Sequence, residues 1–380
     1  MKTFLYLENA PIAEECVGFG LERVNGRLAD ALGRRVSGII VNEASPWSPT
    51  TRLRPSLRGI CWRLLMPAVL SRFARLFAPM GLGSQGERLA LWLPLLKAWK
   101  RLNGTNMLLV PIGSDDMALM RGRWLAQKLG IPYVIYAVDD CELMGGAYPS
   151  FRSDLLDAHR IFALTPTLCA VWQQRYGVSC RLLNLPYEVP EQEISPQRSS
   201  QILFLGSLNA LYAERLVCLH KVVREINRED GFNLTLRFTI AKPEQVLQLL
   251  GSLESVVIQP CEGESAFHDL LASSLMCYAP YSFDPAMEHS VRTSFPSKVL
   301  EYLAWAPCIL ADGPEYSSLC QMFSKSGLPE LIINGDPESL LKVVRRIAKD
   351  QPNHSKLYRA ALRQEHSYER CQNQWDSAWV

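Results

Sequence analysis

What this chain lacks narrows it first. No run of eighteen apolar residues occurs in its 380 positions, so no segment reads as a membrane-spanning helix. The apolar start Phe4-Leu-Tyr-Leu is too short for a signal peptide and runs into Glu8, which makes a cytoplasmic setting the expectation. None of the eleven cysteines forms a Cys-x-x-Cys pair, and their number is odd. That pattern reads as free thiols in a reducing compartment, not as a disulfide frame or a zinc site. Charge of one sign is also missing: 40 basic residues face 38 acidic ones, for a net +2. Without a strong overall field or a known reading motif, nucleic acid is set aside as a partner. A dinucleotide fingerprint is absent as well. Gly18-Phe19-Gly20 is followed by Leu21, Glu22 and Arg23, which breaks the G-x-G-x-x-G spacing.

What is present is an α/β pattern, twice over. Phe4–Leu7, a glycine loop, a helix through 21–32 and a strand through 36–41 open the first half. Strands follow at 107–111, 132–138, 160–164 and 180–185. The one at 132–138 is almost wholly apolar, as a central parallel strand should be, and runs into Asp139-Asp140. Acids just past the carboxyl end of such a strand lie where open α/β sheets keep ligands. A cap or turn role is equally open to one of the two. A polar, proline-bearing run from Glu188 to Ser200 separates the halves. The second half restarts with Gln201-Ile-Leu-Phe-Leu and the turn Gly206-Ser207. It continues through strands at 234–240, 256–259, 276–280, 308–311 and 331–333 with helices between them, and a helical tail fills 354–380. The expected organisation is an acceptor-side domain over 1–190, a donor-side domain over 200–353, and that tail packing back toward the first domain. Two Rossmann-like halves of this kind would bind ligands in the cleft between them.

Residues 45–102 differ in composition. Ten basic side chains, from Arg52 to Arg101, face the single acid Glu87, and Trp47, Trp62, Phe73, Phe77, Trp92 and Trp99 lie among them. Basic residues interleaved with large apolar ones fit either a segment on an anionic membrane surface or an ordinary packed face with solvated arginines.

The most informative stretch runs from Arg292 to Pro314. Pro296 suits a first helical turn, Ser294 is a candidate N-cap, and Val299, Leu300 and Leu303 mark a buried face. Ser297, Lys298 and Glu301 share the other face near the helix start. A hydroxyl, an ammonium and free helix N–H groups at one point form a place for a diphosphate, although an ordinary amphipathic helix fits the same spacing.

Ser294-Phe-Pro-Ser-Lys-Val-Leu-Glu-Tyr-Leu-Ala, with Pro307-Cys-Ile-Leu-Ala after it, resembles the signature helix and strand of the retaining GT-B glycosyltransferases. Ile202-Leu-Phe-Leu-Gly-Ser-Leu resembles that family's first donor-domain strand and turn. Val134-Ile-Tyr-Ala-Val-Asp-Asp resembles a strand of bacterial members that build surface polysaccharides. The resemblance implies a transferase moving sugar from a UDP- or GDP-linked donor to a glycan or lipid-linked acceptor, with no cofactor and no metal. It implies that Glu301 binds ribose, that Phe295, Pro296, Ser297, Gly206 and Ser207 line the donor site, and that Lys298 and Arg292 neutralise the leaving diphosphate. Gly18, Phe19, Gly20, Asp139 and Asp140 would face the acceptor. Two departures stand out. Thr293 occupies the position of a family glutamate, and the Ser207-Leu-Asn turn has neither of the usual basic residues, with Arg215 the nearest after it. A non-catalytic GT-B binding partner and a nucleotide-sugar 2-epimerase therefore remain as alternatives.

The basic segment makes its own prediction. Each basic residue near an anionic surface contributes about 1 kcal/mol, so anionic liposomes should sediment the protein at low salt and release it at high salt. No co-sedimentation at low ionic strength would return the segment to ordinary packing.

Overall fold

The computed structural model describes residues 3–8, 20–43, 61–65, 102, 104–113, 117–140, 151–191, 199–206, 208–239, 242–261 and 263–379. The chain divides into two compact units, one of Met1–Leu185 with Cys371–Val380, the other of Pro186–Arg370.

The first unit is built on a sheet whose described strands are β1 (Thr3–Glu8), β2 (Val36–Glu43), β3 (Cys61–Leu65), β4 (Met107–Ile112), β5 (Tyr133–Ala137), β6 (Arg160–Ala163) and β7 (Cys180–Leu182). Their order is β3-β2-β1-β4-β5-β6-β7, and each neighbouring pair runs parallel. The described helices are α1 (Gly20–Leu32), α2 (Met117–Leu129), α3 (Phe151–Leu156) and α4 (Pro166–Tyr176). Every residue of β4 and β5 is buried, as strands covered on both faces require. The β1–β4 register ends at Leu5–Leu109, two residues before Pro111, which has no N–H to give a ladder. β3 lies inside the basic stretch 45–102 and forms one edge of this sheet. The rest of the stretch, except Leu102, lies outside the described residues.

The second unit repeats the plan with β8 (Gln201–Phe204), β9 (Thr235–Phe238), β10 (Val256–Ile258), β11 (Met276–Pro280), β12 (Ile309–Asp312) and β13 (Leu331–Ile332). These pair in parallel in the order β10-β9-β8-β11-β12-β13. Its described helices are α5 (Ala210–Asp230), α6 (Pro243–Leu250), α7 (Glu264–Ser273), α8 (Glu288–Thr293), α9 (Lys298–Trp305), α10 (Ser318–Lys325), α11 (Pro337–Asp350) and α12 (Ser355–His366). The strand order reverses between β8 and β11, and loops leaving the carboxyl ends of such a pair diverge and open a crevice. The turn at Gly206 and the chain after Pro280 therefore leave from that point. Three helices went unread in the sequence, α3, α8 and α10, all of eight residues or fewer. α10 does carry a local signal, since Ser317 caps it by accepting from the Cys320 N–H at 3.1 Å.

The tail is two helices, α12 and α13 (Tyr368–Ser377), separated at the extended Ser367. α13 packs on the first unit. Trp375 is buried and stacks on Phe162 at 5.3 Å, Trp379 stacks on His159 at 5.8 Å, and Asp376 pairs with Arg35 at 2.5 Å.

Gly122 shows how tightly α2 lies on β4. A Cβ there would stand 2.7 Å from Val110 Cγ2, and Val110 is wholly buried and stiff at χ1. Gly122→Ala gains about 0.5–1 kcal/mol of helix propensity and loses about 1–3 kcal/mol to overpacking. The substitution should therefore lower the denaturant midpoint, and an unchanged or higher midpoint would refute the close approach.

Candidate functional site

At the carboxyl end of β8 the chain turns through Gly206 at φ +134°, a conformation that disfavours any side chain. The α9 start lies directly behind it: a Cβ on Gly206 would come within 3.1 Å of Lys298 Nζ. The amine rests over two rings, 4.0 Å from the centre of Phe204 and 3.7 Å from that of Tyr212. Nζ is buried without a hydrogen-bond partner, although the residue as a whole keeps some exposure. Burial holds its pKa well below the usual lysine value.

Lys298 thus does not stand on a solvated face, as the spacing suggested. Glu301 departs from that reading too. It is wholly buried, and its Oε2 accepts a hydrogen bond from the Tyr187 hydroxyl. That hydroxyl accepts in turn from Trp305 Nε1 at 3.2 Å, and Trp305 stacks on His268 at 4.0 Å. Ser297 is the N-cap of α9, but its hydroxyl makes no capping bond. Helix α9 begins later than the sequence suggested, because Ser294 belongs to the preceding element. Its N–H bonds back to the Ser290 carbonyl, and its own carbonyl accepts from Tyr281 Oη at 3.1 Å and from Ser318 Oγ. Pro296 is buried and Phe295 stacks on His366 at 5.5 Å.

Arg292 is drawn to its own helix. It pairs with Glu288 one turn back at 2.7 Å, and its guanidinium lies 4.1 Å over Tyr316. Thr293 is buried and bonds back to the His289 carbonyl at 2.9 Å. Arg215 is committed elsewhere. It is buried against Asp312 at 2.8 Å and donates to the Gly335 carbonyl at 2.9 Å. Burial pushes the Asp312 carboxyl up, opposed by Arg215 and by the Tyr278 hydroxyl at 2.5 Å. Lys298 is accordingly the basic side chain that the structure brings to the Gly206 turn.

Gly18, Phe19 and Ser207 lie outside the described residues, and Gly20 opens α1. Asp139 and Asp140 follow β5. Asp140 is buried and pairs with Arg175 of α4 at 3.0 Å, while Asp139 keeps partial exposure. One of the two acids is therefore held by an ion pair within its own unit. Among the described residues no group of acids, histidines and cysteines is arranged to hold a metal ion. No helix among them is long and apolar enough to cross a membrane. The sequence did not mark Tyr187, Phe204, Tyr212 or Trp305. Tyr212, in the first turn of α5 just past the glycine turn, carried the clearest signal.

No family model matches the chain and no curated protein matches it. Solved structures do. An alpha-glucosyltransferase in complex with UDP and a 13-mer DNA superposes with a TM-score of 0.64 at 11% identity, covering 99% of each chain. The lipopolysaccharide outer core galactosyltransferase WaaB gives 0.61 at 12% identity, again over 99% of each. Anabaena Alr3699/HepE in complex with UDP and glucose gives 0.66 at 10% identity over 100% of this chain and 99% of that one. The fold is GT-B, two Rossmann-like units each on a parallel sheet. One expectation is corrected here. Nucleic acid was set aside because the whole-chain charge is near zero, yet the alpha-glucosyltransferase of this fold is seen with DNA. Net charge averages over the molecule and does not report a local surface, so the exclusion is withdrawn.

The enclosed amine sets a stability prediction. A buried donor without a partner costs about 1–3 kcal/mol, so Lys298→Met should raise the melting temperature. In the fold Lys298 binds its proton less readily than when unfolded, where its pKa is near 10.5. Stability of the wild type then rises with pH up to about 10.5 through this group, and the methionine variant loses that slope. Thermal melts across pH 7 to 10 read both effects. A less stable variant with an unchanged slope would show that the amine is satisfied.

Proposed function

We propose that this chain is a glycosyltransferase. It moves a sugar from a UDP- or GDP-linked donor to a glycan or lipid-linked acceptor with retention, in surface polysaccharide or glycoconjugate synthesis. The observation that supports this most is the convergence of the Gly206 turn, the unpartnered Lys298 amine and the α9 N-terminus. The fold likeness to structures that hold UDP adds to it.

In this reading the donor diphosphate lies at the Gly206 turn, where a glycine lets the backbone approach. It meets the N-terminal end of α9 and the Ser297 hydroxyl, and the helix dipole contributes about 0.3–2 kcal/mol. An anion there gives Lys298 the partner it lacks, and a neighbouring negative charge raises its pKa again. The ammonium then stabilises the charge that grows on the leaving diphosphate. Glu301 takes the ribose hydroxyls, each charge-assisted bond contributing about 1.5–3 kcal/mol. Arg292 has to leave Glu288 to reach the same phosphates, so Lys298 carries more of that task. On the acceptor side, Gly18, Phe19, Gly20 and Asp139 face the incoming group, and Asp140 braces that loop through Arg175. The reaction needs no cofactor beyond the donor. The basic stretch 45–102 holds the protein on the inner face of an anionic membrane, near a lipid-linked acceptor.

The test is a donor and acceptor matrix. UDP-glucose, UDP-galactose and GDP-mannose are each incubated with glycan, lipid-linked and duplex DNA acceptors, and nucleoside diphosphate release and product mass are followed. Acceptor-dependent release from one donor is expected. Lys298→Ala should lower kcat more than it raises donor KM, because the leaving-group charge peaks in the transition state. Glu301→Ala should mainly raise donor KM. Absence of any nucleotide binding would favour a non-catalytic partner, and acceptor-independent sugar isomerisation would favour an epimerase.

A further inference from the structure

We infer that Tyr187 is a positioning residue for donor recognition: it fixes the Glu301 carboxylate so that the enzyme distinguishes a ribose from a deoxyribose nucleotide. The inference rests on the donor-site reading above and goes beyond it, to a residue outside the signature helix.

Burying a carboxylate as completely as Glu301 is buried is expensive unless hydrogen bonds replace its hydration. The Tyr187 hydroxyl supplies one of these bonds, to Oε2. The tyrosine itself is held on two sides. Its backbone N–H donates to the His366 carbonyl at 2.7 Å, and its hydroxyl oxygen accepts from Trp305 Nε1 at 3.2 Å. Trp305 lies one turn after Glu301 on α9 and is stacked on His268. The hydroxyl accepts from the indole and gives its proton to the carboxylate, and these two bonds together set its direction. Ring, indole and carboxylate form a chain in which each member sets the next.

A carboxylate has room for about four hydrogen bonds. Tyr187 takes one site on Oε2, and in this reading the vicinal hydroxyls of a ribose lie on the same carboxylate. A pair of such hydroxyls is read only by a carboxylate of fixed orientation, since a rotating one can satisfy a single hydroxyl equally well. Tyr187 is the second residue of the second unit, more than a hundred positions before Glu301 in the chain. No reading of the signature helix alone would include it.

The experiment is calorimetric titration of UDP and 2′-deoxy-UDP into wild-type protein and into Tyr187→Phe, Trp305→Phe and Tyr358→Phe. Wild type should prefer UDP by about tenfold, the span of one charge-assisted hydrogen bond. Tyr187→Phe should weaken UDP binding and shrink the preference to about threefold or less. Trp305→Phe, which frees the hydroxyl to turn, should move the same way by a smaller factor. Tyr358→Phe removes a buried hydroxyl contact to the Ile309 N–H in the same unit, so it should lower the melting temperature and leave the preference intact. An undiminished preference in Tyr187→Phe overturns the inference. So does tighter UDP binding, which would mean that the hydroxyl competes with ribose. UDP binding to wild type without any preference also overturns it, while sparing the donor-site reading. Failure of wild type to bind UDP at all sinks the UDP form of that reading, and this inference with it.

Discussion

The donor side of the second unit depends on one close approach, that of the Lys298 amine to the backbone at Gly206. Any side chain at position 206 would meet the amine, and the φ of +134° would strain it besides. The glycine therefore does two things at once. It turns the chain after β8, and it leaves the amine a place between Phe204 and Tyr212. Ring faces attract an ammonium by up to about 2 kcal/mol when desolvated. Burial opposes that attraction and holds the pKa of the amine well below the usual lysine value. An anion at the turn changes the balance. The unliganded site is thus less stable than it could be, as binding surfaces built for charge commonly are.

The neighbouring charges follow from the same economy of partners. Arg215, which follows the turn in sequence, could have served a phosphate. It is instead locked to Asp312 and Gly335, where breaking the pair would strand a buried carboxylate. Arg292 is held by Glu288 and Tyr316 at the surface, an arrangement of modest strength that an arriving anion can compete with. Of these three basic residues, one is structural, one is loosely held, and one is enclosed and unpaired. Residue type did not separate these roles, and burial and partners do.

The two-sheet plan was legible because parallel strands covered on both faces are written as nearly continuous apolar runs, such as Leu108–Ile112 and Tyr133–Ala137. The Gly206 turn and the α9 helix were legible from glycine, proline and apolar spacing. The short helices α3, α8 and α10 were not. β3 was hidden by the basic residues around it, because an edge strand is a poor match to the apolar pattern of a central one. The polar face of α9 was misread for a different reason. Helical spacing says which residues lie together but not what covers them, and Glu301 is covered by a tyrosine from a distant segment. Ser294 failed as a cap because the preceding helix, α8, had already claimed its N–H.

The last ten residues belong to the first unit although the whole second unit precedes them in the chain. Trp375 and Trp379 press against Phe162 and His159, and Gln372 bonds to the Ala31 carbonyl at 2.6 Å. During synthesis the first unit therefore leaves the ribosome before Cys371–Val380, the segment that completes it, which follows the whole second unit. The second unit, contiguous from Pro186 to Arg370, has all of its own parts before that moment arrives. The half translated first is the half completed second, and a chain broken off just after Arg370 would lack a part of the earlier unit while the later one stood finished.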